Sequence, residues 1–183
     1  DDDVISMGGT LRRLVQQGHD VHVAYETSGN IAVGDEEVVR FMHFINGFNQ
    51  LFENSEDKVI SEKYAEIKKF FSTKKEGQMD TRDILTIKGL IRRGEARTAC
   101  TFNRIPLDHC HFLDLPFYET GKIEKNPISE ADVEIVLNLL REVKPHQIYV
   151  AGDLADPHGT HRVCTDAVFA AIDEEKNAGA EWL

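Results

Sequence analysis

Val21-His22-Val23-Ala24-Tyr25-Glu26-Thr27-Ser28-Gly29-Asn30 is the stretch whose reading decides the fold. Its first five residues are short, apolar and rich in β-branched side chains, which reads as a strand. Thr27-Ser28-Gly29-Asn30 then reads as a loop at the carboxyl end of that strand. Upstream, Val4, Met7, Leu11, Leu14 and Val15 recur at helical spacing over residues 4 to 17, with Gly18 as a stop. Downstream, residues 35 to 53 carry Val38, Val39, Met42, Ile45 and Leu51 on a helical pattern. Residues 56 to 79 are rich in Lys and Glu and read as a solvated helix with a polar tip. A further helix is predicted from Thr81 to Thr101 through Ile84, Leu85, Ile87, Leu90 and Ile91, with Asp80 as its N-cap.

The alternation then repeats. His111-Phe112-Leu113-Asp114-Leu115 is strand-like, a turn follows around Gly121, and Ser129 to Val143 reads as a helix. That helix opens on Ser129-Glu130-Ala131-Asp132, a Ser-x-x-Asp capping box. Gln147 to Ala151 is predicted as a buried strand, and residues 161 to 175 as the last helix. Parallel strands need crossovers, and helices between strands supply them. The pattern therefore predicts an α/β fold with a mostly parallel sheet covered on both faces, as one domain without an internal linker. Sites in such sheets lie beyond the carboxyl ends of the strands. Thr27 to Gly29, Asp153 to His161 and the loop after Leu115 fall there, and Asp1 to Asp3 join them if a strand ends just upstream.

Composition narrows the function classes. The chain has 183 residues, 41% hydrophobic and 29% charged, ordinary for a globular protein with a sizeable core. A formal net charge of -11 argues against nucleic acid or an anionic membrane surface as partner, because phosphate contacts need a basic surface. No apolar run approaches the ~18 residues of a membrane span. Cys100, Cys110 and Cys164 are odd in number and lack CxxC spacing, so they read as reduced thiols of a cytoplasmic protein. There is no initiator Met and no signal-peptide pattern, and the expectation is a fragment cut at both ends.

Several clusters bear on chemistry, each with a plainer alternative. Asp1-Asp2-Asp3 repel one another; they suit a site where a cation neutralises them, or simply an acidic helix start. His158 and His161 are three apart at the mouth of a helix, where two imidazoles share a face and could meet one metal ion. Asp153 and Asp156 beside them offer ligands or hydrogen-bond acceptors. His19 and His22 repeat the spacing where no site is expected, and His109-Cys110-His111 reads as core and edge residues entering a strand. Gly8-Gly9 reads as close helix packing, and the Lys/Glu tract from 56 to 76 as a solvated face.

Taken in order, Asp1-Asp2-Asp3 with Gly8-Gly9-Thr10, Thr27-x-Gly29, Arg92-Arg93-Gly94-Glu95 and His158-x-x-His161 resemble the PIG-L/LmbE family of zinc-dependent deacetylases of N-acetylated amino sugars. The resemblance covers nearly the whole chain. Ala24 to Val33, Leu115 to Lys122 and Ala151 to Thr160 further resemble a Bacteroidetes subgroup, the LmbE-like C-terminal domains of proteins named glucosamine-6-phosphate deaminase or isomerase. No motif of the deaminase module is present.

The resemblance implies a Rossmann-like three-layer sandwich over residues 1 to 183, with a first strand before Asp1. It implies zinc held by Asp2 and His161, Asp1 as general base, and His158 as the group that stabilises the oxyanion or protonates the leaving amine. Arg92, Thr27 and Gly29 become substrate-binding positions. The family's opening motif is His-Pro-Asp-Asp-Asp/Glu, and this chain starts at its third residue, so a third ligand is missing and zinc is expected to be depleted. The family often has His-Pro-Asp-His late, where this chain has His158-Gly159-Thr160-His161; Asp153 or Asp156 would replace the lost Asp. The implied substrate is a small amino sugar or its phosphate, and a homo-oligomer is allowed. The rival readings are a non-catalytic sugar-phosphate-binding domain that regulates a fused isomerase, and a self-assembly domain.

Overall fold

In a computed structural model, which describes residues 2–52, 58–122, 124–152, 155 and 157–182, two strands form the sheet. β1 (Val23–Tyr25) and β2 (Cys110–Phe112) pair in parallel, Val23 opposite Cys110 and Tyr25 opposite Phe112. The ladder runs on: Leu113 N–H donates to the Tyr25 carbonyl (2.9 Å) and Leu115 N–H to the Glu26 carbonyl (2.8 Å). Six α-helices accompany the strands among the described residues: α1 (Asp2–Gln16), α2 (Asp35–Leu51), α3 (Lys58–Thr73), α4 (Arg82–Phe102), α5 (Glu130–Val143) and α6 (Thr160–Asn177), with single 3-10 turns at Asn30–Ala32 and Leu107–His109. The architecture is mixed α/β with a small parallel sheet, the class that the strand–helix alternation predicts.

The chain divides into two compact units, residues 1–28 with 93–183, and residues 29–92. In the first unit Leu11, Cys100, Ile105 and Cys110 are buried together, with Met7, Val15, Val21, Val23, Tyr25 and Phe112 packed on them. The helical period of α1 therefore turns Met7, Leu11 and Val15 toward this core, with Leu11 buried. Gly8-Gly9 is not a packing face among the described residues: there a Cβ on Gly9 would meet nothing within 4 Å, and one on Gly8 would meet Val4 of the same helix at 3.6 Å. α5 and α6 pack on each other, and Val136 and Leu140 of the one and Ala167 and Ala171 of the other are buried. Asp132, fully buried, accepts hydrogen bonds from Phe117 N (2.9 Å) and Ser129 N (2.8 Å), so the capping-box acid also anchors the segment ahead of α5.

In the second unit Val33, Val38, Met42, Ile67, Ile84 and Ile91 form the core, with Tyr64, Phe70, Phe71 and Ile87 around it. Two expectations are corrected here. The tract from 56 to 76 is not simply a solvated face, because Ile67 is buried and its neighbours seal the core. Asp80 is not the N-cap of α4; Thr81 Oγ1 takes the Ile84 N–H at 3.4 Å. Asp80 instead joins a ring of charges. Lys74 and Lys88 each bind both Asp35 and Asp80 at 2.7 Å, and Lys88 is 4% exposed. A buried ammonium needs such partners, and that need overrides the local capping preference.

The predicted strand Gln147 to Ala151 is also corrected. These residues are not in strand conformation, and Ile148 and Tyr149 are 37% and 53% exposed. A strand must find a neighbouring edge for its backbone groups, and no described strand pairs with this one. The Ala151 carbonyl is taken by the Thr165 hydroxyl of α6 at 2.8 Å.

Candidate functional site

The chain leaves β1 at its carboxyl end through Glu26, Thr27 and Ser28. Glu26 is half-buried, and its Oε1 is buried with no hydrogen-bond partner among the described residues. Burial raises the Glu26 carboxyl to about 7, against the pull of a hydrogen bond from the Cys164 thiol. Cys164 is buried on α6, one turn beyond His161, so the two share a helical face. Glu26 therefore touches the face of α6 that carries His161. Two parts of the predicted site, the loop after β1 and the late histidine's helix, meet at this contact. Ser28 N–H donates to Glu119 at 3.0 Å, which holds the loop against the segment after β2.

His161 itself is half-buried in the first turn of α6. Gly159 precedes the helix at φ 70°, a left-handed conformation that favours glycine. His158 is exposed and lies before the helix begins, so His158 and His161 do not share a helical face as their spacing suggests. Asp2 opens α1, while its side chain lies outside the described residues, as do Asp1, Asp153 and Asp156. The expected convergence of Asp1, Asp2, His158 and His161 falls outside them with it.

In the second unit two predicted substrate-binding residues are brought together. Gly29 has φ 64°, and a Cβ built on it would lie 3.2 Å from Arg92 Nε and 3.4 Å from Arg92 Cγ. The missing side chain thus makes room for the Arg92 stem. Thr27 belongs to the first unit. The neighbouring Arg93 serves structure: it pairs with Asp114 just after β2 and lies over the Phe112 ring at 5.0 Å.

The sequence reading missed a cluster at the other end of the strands, where β1 and β2 begin. His22 and His109 stack with ring centroids 3.9 Å apart and planes 9° from parallel. His22 Nδ1 shares a hydrogen bond with His111 Nε2 at 2.9 Å. Asp20 Oδ1 lies 3.2 Å from His109 Nδ1 and 3.7 Å from His22 Nε2. Burial lowers the His111 imidazole below its usual value; His22 and His109 add to this and Glu142 opposes it. Nothing was expected at His22, and this is a correction. For His109-Cys110-His111 the core reading holds for Cys110, which is buried, but both histidines turn to His22. The overlooked signal is that Asp20-x-His22 and His109-x-His111 sit at the starts of two successive strand-like segments, which a parallel pairing brings side by side.

No helix among the described residues is long and apolar enough to cross a membrane. The chain matches the family described as PIG-L: GlcNAc-PI de-N-acetylase over residues 1–172. It is 85% identical over 183 residues to a Bacteroides thetaiotaomicron protein named glucosamine-6-phosphate deaminase-like protein. That match takes in all of this chain and 28% of the relative's length. No solved structure matches the chain.

Proposed function

The chain belongs to the PIG-L family, and from this premise we propose that it is a zinc-dependent hydrolase removing the acetyl group from an N-acetylated amino sugar or its phosphate. The observation that carries the reading is the extent of the match, residues 1–172, which takes in Asp1, Asp2, Thr27, Gly29, Arg92, His158 and His161 together. The contact of Glu26 with Cys164 supports it, because it sets the loop after β1 against the helix of His161. We infer further that the domain works within a longer protein of the glucosamine-6-phosphate deaminase-like kind and acts in the cytoplasm, where its three buried cysteine thiols stay reduced.

A half-buried imidazole at the start of α6 and a carboxylate at the start of α1 are donor types that zinc takes, so Asp2 and His161 fit the metal chemically. Bound there, zinc would supply Lewis acidity, polarising the amide carbonyl and making a water acidic near neutral pH. Asp1 accepts the proton of the attacking water. His158, exposed beside the mouth of α6, protonates the departing amine. Arg92 grips a phosphate or hydroxyl of the sugar through its planar fork of donors, in the room that Gly29 leaves. Glu26 holds a proton close to neutral pH next to the helix of His161.

The test is acetate release from N-acetylglucosamine 6-phosphate by the full-length protein, with and without a chelator, and by His161→Ala. Release that is lost on chelation and in the variant is the expected result. Saturable sugar-phosphate binding with no release would replace this reading by the regulatory one.

A further inference from the structure

We propose that Asp20, His22 and His109 form a second site for a divalent transition-metal ion, with His111 as the residue that orients His22. The site lies at the amino ends of β1 and β2, the opposite end of the strands from Glu26 and Thr27. It does not depend on the hydrolase reading.

The topology makes the cluster. Val23 pairs with Cys110 in a parallel register, so the preceding residues, His22 and His109, face each other across the strands. Asp20, just ahead of β1, reaches both rings, and His111, inside β2, meets His22. Val23 and Cys110 take the opposite face and pack into the core.

The geometry suits an ion. One ligand atom from each of Asp20, His22 and His109 lies within 4.8 Å of the others. Ligands of a tetrahedral zinc with bonds of about 2.0–2.1 Å stand roughly 3.3 Å apart. Small side-chain rotations bring the three atoms to that spacing, and Asp20 Oδ1 and His109 Nδ1 are already 3.2 Å apart.

The hydrogen bonds supply the rest of a metal site. A ligating histidine commonly donates its other ring N–H to an acceptor, which fixes its tautomer. His22 presents Nε2 to Asp20 and has Nδ1 at 2.9 Å from His111 Nε2. With His22 donating there, the Nε2 lone pair is left for the ion. A proton on His109 Nδ1 serves Asp20 and, at 3.3 Å, the Val21 carbonyl; the ion takes the place of that proton. Binding therefore weakens as the pH falls.

Two imidazoles and one carboxylate select zinc or a neighbouring transition ion over calcium or magnesium, which prefer oxygen ligands in larger number. The Asp20 side chain is 78% exposed and those of His22 and His109 are 24% exposed, so water can fill the fourth position. The ion would clip together segments 88 positions apart, which stabilises the fold by linkage.

Zinc alone, titrated calorimetrically into the full-length protein, is the probe, with cobalt absorption as a second readout. His161→Ala removes the ligand assigned above, so the comparison is made in that background. It is expected to keep one equivalent that His22→Ala and His109→Ala lose. Asp20→Asn, a near-isosteric change at an exposed position, should weaken that equivalent at least tenfold. His111→Ala should weaken it by about 10–100-fold while leaving its stoichiometry intact. Unchanged zinc stoichiometry and affinity in Asp20→Asn and His22→Ala would overturn the proposal. A loss of acetate release with this equivalent intact would count against the hydrolase reading alone.

Discussion

Glu26 and Gly29 show how single residues answer to partners distant in the chain. The Glu26 carboxyl titrates at about 7 in the folded protein and near 4.5 when free, so between those values the folded chain holds a proton that the unfolded chain has lost. Stability should therefore fall as pH rises from about 4.5 to about 7 and level off above, each pKa unit being worth about 1.4 kcal/mol. Glu26→Gln should remove this dependence and stabilise the protein by roughly 2 kcal/mol at pH 8 relative to pH 5. Urea denaturation at the two pH values measures it, and equal slopes in both proteins would refute the assignment. At Gly29 an alanine would face a left-handed φ of 64° and Arg92 Nε at 3.2 Å. Gly29→Ala should cost about 1–2 kcal/mol in thermal or urea unfolding and displace the Arg92 side chain.

The ring of Lys74, Lys88, Asp35 and Asp80 decides how α4 is joined to the elements before it. Removing Asp80 leaves Lys88, 4% exposed, with Asp35 as its remaining partner in the ring. Breaking a buried pair commonly costs about 3–5 kcal/mol, whereas losing a helix cap costs about 1 kcal/mol. Asp80→Ala should accordingly destabilise far more than Thr81→Ala, the reverse of what an N-cap at Asp80 predicts. Denaturant midpoints of the two variants decide the order. The same ring sets an acid limit. Burial alone would raise the Asp35 carboxyl, yet hydrogen bonds and charge from Lys74 and Lys88 hold it below its usual value. That stabilisation is present above the ordinary carboxyl pKa of 3.8 and is lost as pH falls through the lowered value.

For the whole molecule, a net charge of -11 repels phosphorylated sugars at long range, so a phosphate must be held by local cations. If Arg92 is that cation, Arg92→Ala should lower kcat/KM for N-acetylglucosamine 6-phosphate by about 10–100-fold, the range of one charged hydrogen bond. The loss on N-acetylglucosamine should be much smaller. Equal losses on both substrates would show that Arg92 does not read the phosphate.

How much was legible depends on the range of the forces involved. The positions of β1, β2 and the six helices, the capping box at Ser129 and the parallel class all follow from patterns within a few residues: apolar period, caps and glycine stops. Such patterns persist in any context, and the family motifs can be read along the chain for the same reason. The remaining features belong to the tertiary structure alone. Whether Gln147 to Ala151 becomes a strand depends on a neighbouring edge, and Thr165 takes its carbonyl instead. Whether Lys88 is a surface lysine or a buried one depends on Asp35, 53 positions away. Whether His22 is an idle residue or part of a cluster depends on His111, 89 positions away, coming within hydrogen-bond reach of it. A polar side chain carries no local mark of its partner; only the folded chain brings the two together.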